Sequence, residues 1–184
     1  RSRLEKFREL LASQLKVEEI AQIIKAQPSL TCISPEVLTA TVRQLEELCA
    51  AKPDEGSVVG YLLLSRPILL KQSAKTLKAN WESLRRHAKM VPRWEKELDV
   101  YASKRSTALG NLLLYGIKKH QRLAHVASLP QGNDLREKYA LSTIFNMKDN
   151  IFQEKFFNAD AVPAPAADDV VGPATAAPAA ASSA

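Results

Sequence analysis

Cysteine is nearly absent: Cys32 and Cys49 are the only two in 184 residues. They form no CxxC pair and have no histidine at zinc-finger spacing, which argues against a disulfide framework or a thiolate metal site. Both fall within apolar helical pattern and read as small core residues, as expected in a reducing compartment. Glycine is scarce too, with six residues, and no alternating apolar–polar run persists, so no sheet is expected. No apolar run approaches the ~20 residues of a membrane span. The richest, from Val58 to Leu70, is broken by Arg66 and Pro67, so no membrane partner is expected. Histidine is limited to His87, His120 and His125, none of them in a metal-binding motif. GxSxG, HExxH, P-loop and GxGxxG patterns are all missing. The pairs Glu18-Glu19 and Glu46-Glu47 read as solvated helix faces. No catalytic residue, metal or cofactor is expected. Aromatics make up 6% of the chain, and Trp81 and Trp94 sit in apolar pattern, which places them in helix packing rather than base stacking.

What remains is helical periodicity. Leu4, Phe7, Leu10, Leu11 and Leu15 predict a first helix, and Val17, Ile20, Ile23 and Ile24 a second. Ser34-Pro35-Glu36 is a helix start: a capping hydroxyl, a Pro at the first helical position and a carboxylate beside the N-terminal dipole. Leu38, Val42, Leu45 and Cys49 form the apolar stripe of that helix. Lys52 to Gly56 reads as a turn cluster.

The helices also repeat. Pro28 and Pro67 are 39 positions apart. The same offset maps Ile20 onto Val59, Ile23 onto Leu62, Ile24 onto Leu63, Leu30 onto Leu69, Ser34 onto Ser73, Leu38 onto Leu77 and Leu45 onto Leu84. Each unit reads as helix, Pro-marked bend, helix. The Pro ends the first helix because it lacks an amide donor and disfavours helix in the residue before it. Applied again, the offset predicts a degenerate third unit: Leu98, Tyr101 and Ala102, then Ser106 in the Pro place, Leu109, Gly116 and Leu123. Units of this kind bury their apolar faces only by stacking, which predicts an all-α solenoid over residues 1–133. Residues 134–157 read as a helical cap, with Leu141, Ile144 and Phe145 on one face and Ile151, Phe152, Phe156 and Phe157 after a start at Asp149. Residues 158–184 are rich in Ala and Pro and lack large apolar side chains, which predicts a disordered tail.

The repeat resembles that of the mitochondrial transcription termination factor (mTERF) family. That motif is a Pro followed by leucines at intervals of three and then seven positions, and Pro67, Leu70, Leu77 and Leu84 match it throughout. In the first unit Pro28, Leu38 and Leu45 match, while Thr31 departs from Leu. The third keeps Leu109 and Leu123 and departs at Ser106 and Gly116. Leu141 to Phe156 is similar to the family's carboxy-terminal end. The resemblance spans about residues 10–157, with fewer repeats than full members carry. It implies an organellar location, mitochondrion or chloroplast, and binding of DNA or RNA in gene expression. The chain begins Arg1-Ser2-Arg3 without Met, as it would after loss of a transit peptide or as a fragment.

Charge points the same way. Net charge is +6, and no Lys or Arg follows Lys155, whereas Asp160, Asp168 and Asp169 do. The helical part is therefore the more basic, which suggests a polyanionic partner. Lys71, Lys75, Lys78, Arg85 and Lys89 follow helical steps that place them in one stripe about a quarter-turn from the apolar stripe. Arg86 flanks the stripe and Glu82 interrupts it. Beyond lie Arg93, Lys104, Arg105, Lys118, Lys119 and Arg122. Like charges at such spacing repel, and phosphates alongside relieve that repulsion. With few base-reading candidates, contacts to phosphate and sugar are expected. These twelve residues form the expected nucleic-acid surface. Structured or ribosomal RNA is the expected partner, as for a component or assembly partner of the mitochondrial ribosome. The alternatives are duplex DNA, in transcription termination, and a protein-interaction scaffold. The acidic tail is expected to touch neighbouring proteins of a large assembly.

Overall fold

The structure, a computed structural model, describes residues 2–49 and 57–157. The tail at 158–184 and the turn cluster at 52–56 lie outside the described residues. The protein is all-α, and no strand occurs among the described residues. The helices are α1 (Arg3–Leu11), α2 (Val17–Ala26), α3 (Pro35–Leu48), α4 (Val58–Ser65), α5 (Ala74–Ala88), α6 (Pro92–Ser103), α7 (Thr107–Leu114), α8 (Ile117–Ser128), α9 (Asp134–Lys138), α10 (Leu141–Asn146) and α11 (Asp149–Phe156).

Local chemistry sets the helix starts. The Ser2 hydroxyl accepts from the Glu5 amide at 3.2 Å and the Glu5 carboxylate accepts from the Ser2 amide at 2.8 Å, a reciprocal capping box. Ser34, Ser57, Ser73 and Ser106 cap α3, α4, α5 and α7 in the same sense, each hydroxyl accepting an orphan amide. Pro35 and Pro92 occupy first helical positions, where their missing donor is not needed.

The backbone repeats with the sequence. Gln27 (φ −143°, ψ 78°) and Arg66 (φ −141°, ψ 69°) end α2 and α4 in nearly the same conformation. Each leads into a five-residue 3₁₀ turn, Pro28–Cys32 and Pro67–Lys71. The amides of Leu30 and Leu69 donate to the carbonyls of Gln27 and Arg66 at 3.1 and 3.0 Å. The third unit differs from the sequence expectation. Ser106 does not sit in a 3₁₀ turn but caps α7 directly, and Gly116 is the N-cap of α8 rather than the site of a buried leucine. Packing shows why. α4 packs on α7 and α5 on α8, so Val59-Gly60 and Leu62-Leu63-Leu64 correspond to Leu109-Gly110 and Leu112-Leu113-Leu114. The insertion of α6 and the loss of the 3₁₀ turn move the register away from the offset of the first two units.

Two rows of helices result. In one, α1, α3, α5, α8 and α10 each pack on the next; in the other, α2, α4 and α7 do so. Polar bonds reinforce the rows at matching places. The buried Thr41 hydroxyl donates to the Gln72 carbonyl at 2.9 Å, and Asn80, 39 positions on, donates to the Leu113 carbonyl at 2.8 Å. A single apolar cluster runs from Phe7 to Phe156 without a break at the expected boundary near residue 133. The segment beyond is tied to α6 and its neighbours. The Trp94 indole donates to the Tyr139 carbonyl at 2.8 Å, Glu97 accepts from the Leu141 amide at 2.8 Å, and buried Arg136 donates to the carbonyls of Met90 and Leu129.

Gly60 lets α4 lie close against the α1–α2 connection. A Cβ there would lie 2.4 Å from the backbone carbonyl oxygen of Gln14. Gly60→Ala should therefore destabilise the fold by about 1–3 kcal/mol through overpacking, read as a lower thermal midpoint. An unchanged or raised midpoint would show that α4 and the α1–α2 connection separate freely.

Candidate nucleic-acid interface

Positive charge is concentrated in one stretch of the fold. Residues 57–128, from α4 to α8, hold fourteen Lys and Arg against four Asp and Glu. Residues 2–49 hold six against seven, and residues 129–157 hold four of each. The surplus thus belongs to α5, α8 and the connections, since α6 itself holds two Lys and Arg against three Asp and Glu.

α5 presents it most simply. Leu77, Trp81, Leu84 and Ala88 are buried, which fixes the rotation of the helix. Lys71, Lys75, Lys78, Arg85, Arg86 and Lys89 are then all exposed. At about 100° per residue Lys75, Lys78, Arg85, Arg86 and the C-cap Lys89 fall within an arc about 100° wide, whereas Lys71, expected on the same stripe, ends the 3₁₀ turn that precedes the Ser73 cap. None of the six has an ion-pair partner among the described residues, and Glu82 in their midst pairs with none of them. Arg85 also lies over the Trp81 ring, 5.6 Å from its centroid, so its stem shields that indole. Trp81 itself is buried, as is Trp94.

The remaining six expected residues fall into three groups. Arg93 bonds Glu97 at 2.9 Å and the carbonyls of Glu137 and Lys138 at 3.2 and 3.0 Å, where it satisfies the end of α9. Lys104 and Arg105 are exposed in the α6–α7 connection, and Arg105 borders a cleft beside α4 and the α1–α2 connection, apart from the α5 stripe. Lys118, Lys119 and Arg122 share a face of α8, the neighbour of α5. Of these only Lys118 makes no hydrogen bond or close ion pair, though its charge also helps to lower the Asp149 pKa. Lys119 and Arg122 donate to the Met147 carbonyl at 3.0 and 2.8 Å and pair with Asp149. The Arg122 hydrogen bond and charge hold the Asp149 carboxyl below its ordinary range, while burial and Arg122 lower the Lys119 pKa. These two cations hold α8 against the α10–α11 connection.

Between α5 and α8 lies a histidine pair. The His120 ring is 4% exposed, contacts the Ser83 hydroxyl at 3.1 Å through Nδ1 and meets Phe145 edge-on. His120 Nε2 and His87 Nδ1 are buried without a hydrogen-bond partner. Burial lowers both pKa values first, and the charges of His87 on His120 and of Arg86 on His87 lower them further. The unfolded chain therefore takes up protons at a higher pH than the folded chain. The stability these rings contribute is complete above about pH 6.5 and declines as pH falls below it, by up to about 1.4 kcal/mol per pH unit for each proton. From the helix caps, His120 in α8 holds the position of Leu77 in α5. His120→Leu should flatten the fall of the thermal midpoint between pH 7.5 and 5, a window separate from that of Asp149. An equal slope in parent and variant would exclude His120 as its source.

Among the described residues no group of three or more His, Cys, Asp or Glu has a metal-binding arrangement, and no helix is long and apolar enough to cross a membrane. Cys49 is buried and its thiol pKa is pushed up to about 12 by burial, whereas Cys32 is exposed. The chain matches no protein-family model, and no curated protein or solved structure matches it.

The structure also assembles a feature the sequence pattern did not show. Lys118, Gln121, Arg122 and His125 on α8 face Phe152 and Phe157 across a cleft of about 340 Å³. Phe157, read from sequence only as one of the aromatics that follow the Asp149 start, is 52% exposed and stacks on His125. Its place in a run of aromatics hid this, because Phe152 and Phe156 at helical spacing are buried and Phe157 is turned from them.

Proposed function

We propose that this chain is a nucleic-acid-binding helical-repeat protein of organellar gene expression that grips structured RNA, ribosomal RNA foremost, through the phosphate backbone. The observation that carries this reading is the run of five exposed, unpaired cations along one arc of α5 and its C-cap, with Lys71 just ahead of the helix and a second basic helix beside it. An ordinary solvated face mixes signs and pairs them; this one concentrates one sign. Two rows of stacked helices support a solenoid reading, in which such an arc lies along an extended surface. The resemblance of the Pro-marked units to the mTERF family supports an organellar setting. The buried tryptophans leave the α5 stripe with charge rather than stacking, which suits recognition by shape.

Crosslinking the native protein in organelles and sequencing the attached nucleic acid tests this. Ribosomal RNA fragments are expected. Recovery of duplex DNA alone would replace the partner and move the protein to transcription. Recovery of no nucleic acid, with an acidic protein in its place, would favour a scaffold. In the RNA reading the tail at 158–184, which carries no Lys or Arg, touches neighbouring proteins rather than phosphate.

A further inference from the structure

We infer that the cleft between α8 and α11 is a stacking site for one unpaired RNA nucleobase, with Phe157 as its platform and Lys118 on its phosphate; this rests on the RNA reading above. Phe157 stacks on His125 with ring centroids 4.2 Å apart and an interplanar angle of 16°. One ring face is thus covered, while 52% of the residue stays in solvent. A phenylalanine held flat by a histidine and left half uncovered at the mouth of a cleft is a ready partner for another flat ring. Beneath it, Phe152 is buried and meets His125 edge-on at 6.3 Å, so the platform is fixed from below.

The rim selects a nucleotide over a plain hydrocarbon ring. Asp149 supplies the cleft's one carboxylate, and it is taken up by Arg122 and Lys119. Lys118 is exposed and unpaired, so the rim keeps a surplus of positive charge for a phosphate. The exposed amides of Gln121 and Gln153 make no side-chain hydrogen bond among the described residues, and each offers a donor and an acceptor to a base edge. His125 Nε2 is buried without a partner in the same place. The cleft volume of about 340 Å³ lies at the small end of ligand pockets, which suits one base and not a duplex. The cleft opens on the same α8 face as Lys118, so a strand held along α5 and α8 can turn one base into it.

The experiment uses the full chain and three probes: a single-stranded RNA of about twelve nucleotides carrying 2-aminopurine, an RNA duplex of the same length, and 2-aminopurine ribonucleoside monophosphate. The parent should quench the fluorescence of the single strand. Phe157→Ala should abolish the quenching and weaken single-strand binding roughly 5- to 100-fold, with duplex affinity unchanged. Phe157→Trp should restore both. Lys118→Gln should weaken single-strand binding while leaving the quenching at saturation. Because Phe157 is half-exposed, the Ala variant should lower the thermal midpoint only slightly through loss of the His125 stack. A Phe157→Ala protein that binds and quenches like the parent overturns the inference. So does a free monophosphate that binds as tightly as the strand, because the site would then serve a free nucleotide. A parent that binds the duplex but shows no ring-dependent quenching overturns the stacking site alone. A parent that binds neither RNA overturns the RNA reading with it.

Discussion

Leu77→Ala should lower the unfolding free energy by about 2–5 kcal/mol, and Leu84→Ala by a similar amount. Both side chains are fully buried on α5. That helix is the middle member of a row, with α3 packed on one side and α8 on the other. Truncating either leucine removes apolar area from an interface that cannot close, because helices on both sides hold its width. For a chain of this size each kcal/mol corresponds to a shift of about 2–4 °C in thermal midpoint. The contrast that gives the result meaning is Lys78→Ala on the same helix. Lys78 is exposed, so its loss should move the midpoint by little. Equal effects of Leu77→Ala and Lys78→Ala in a thermal scan would mean that α5 is rotated from the position described.

The same two leucines show how far the sequence could be read. Leu38, Leu45, Leu77 and Leu84 are all buried, and their common spacing together with Pro28 and Pro67 foretold two units of like backbone. The signal was strong there because a Pro fixes its own φ and restricts the residue before it, so the bend leaves a residue-specific trace. The third unit left no such trace. Its helices α7 and α8 are joined through Tyr115 and Gly116 without a Pro, and α6 intervenes as an extra apolar periodicity. Periodicity reports that a helix exists, not which neighbour it takes, so the register there was set by packing alone. The charged residues divide along the same line. The α5 arc follows from spacing on one helix and is exposed as expected. Arg93, Lys119 and Arg122 look alike in sequence but satisfy carbonyls at helix ends, a long-range role that no local pattern encodes. The Phe157–His125 stack also joins two helices far apart in the chain.

Replacing Lys75, Lys78 and Arg86 together with Gln should weaken RNA binding on the order of a hundredfold near 0.1 M salt. The three side chains are exposed and unpaired, so their charge serves no contact within the described fold. Arg85 is left in place because its stem covers Trp81, and its loss would mix stability with binding. Each phosphate neutralised releases counterions, and the slope of log affinity against log salt should fall by about 0.7–0.9 for every phosphate that the variant no longer neutralises. Parent and variant titration lines should therefore converge as salt rises towards about 1 M, where the released counterions gain nothing. Removing three like charges from one arc relieves repulsion worth a few tenths of a kcal/mol per pair, and losing the attraction of Glu82 for Lys78 and Arg86, each four residues away, offsets it by a similar amount. The variant's thermal midpoint should then be close to the parent's, which separates lost affinity from lost fold. A variant with the parent's affinity and the parent's salt slope would mean that the α5 arc is a solvated face, and that nucleic acid, if bound, lies elsewhere on the molecule.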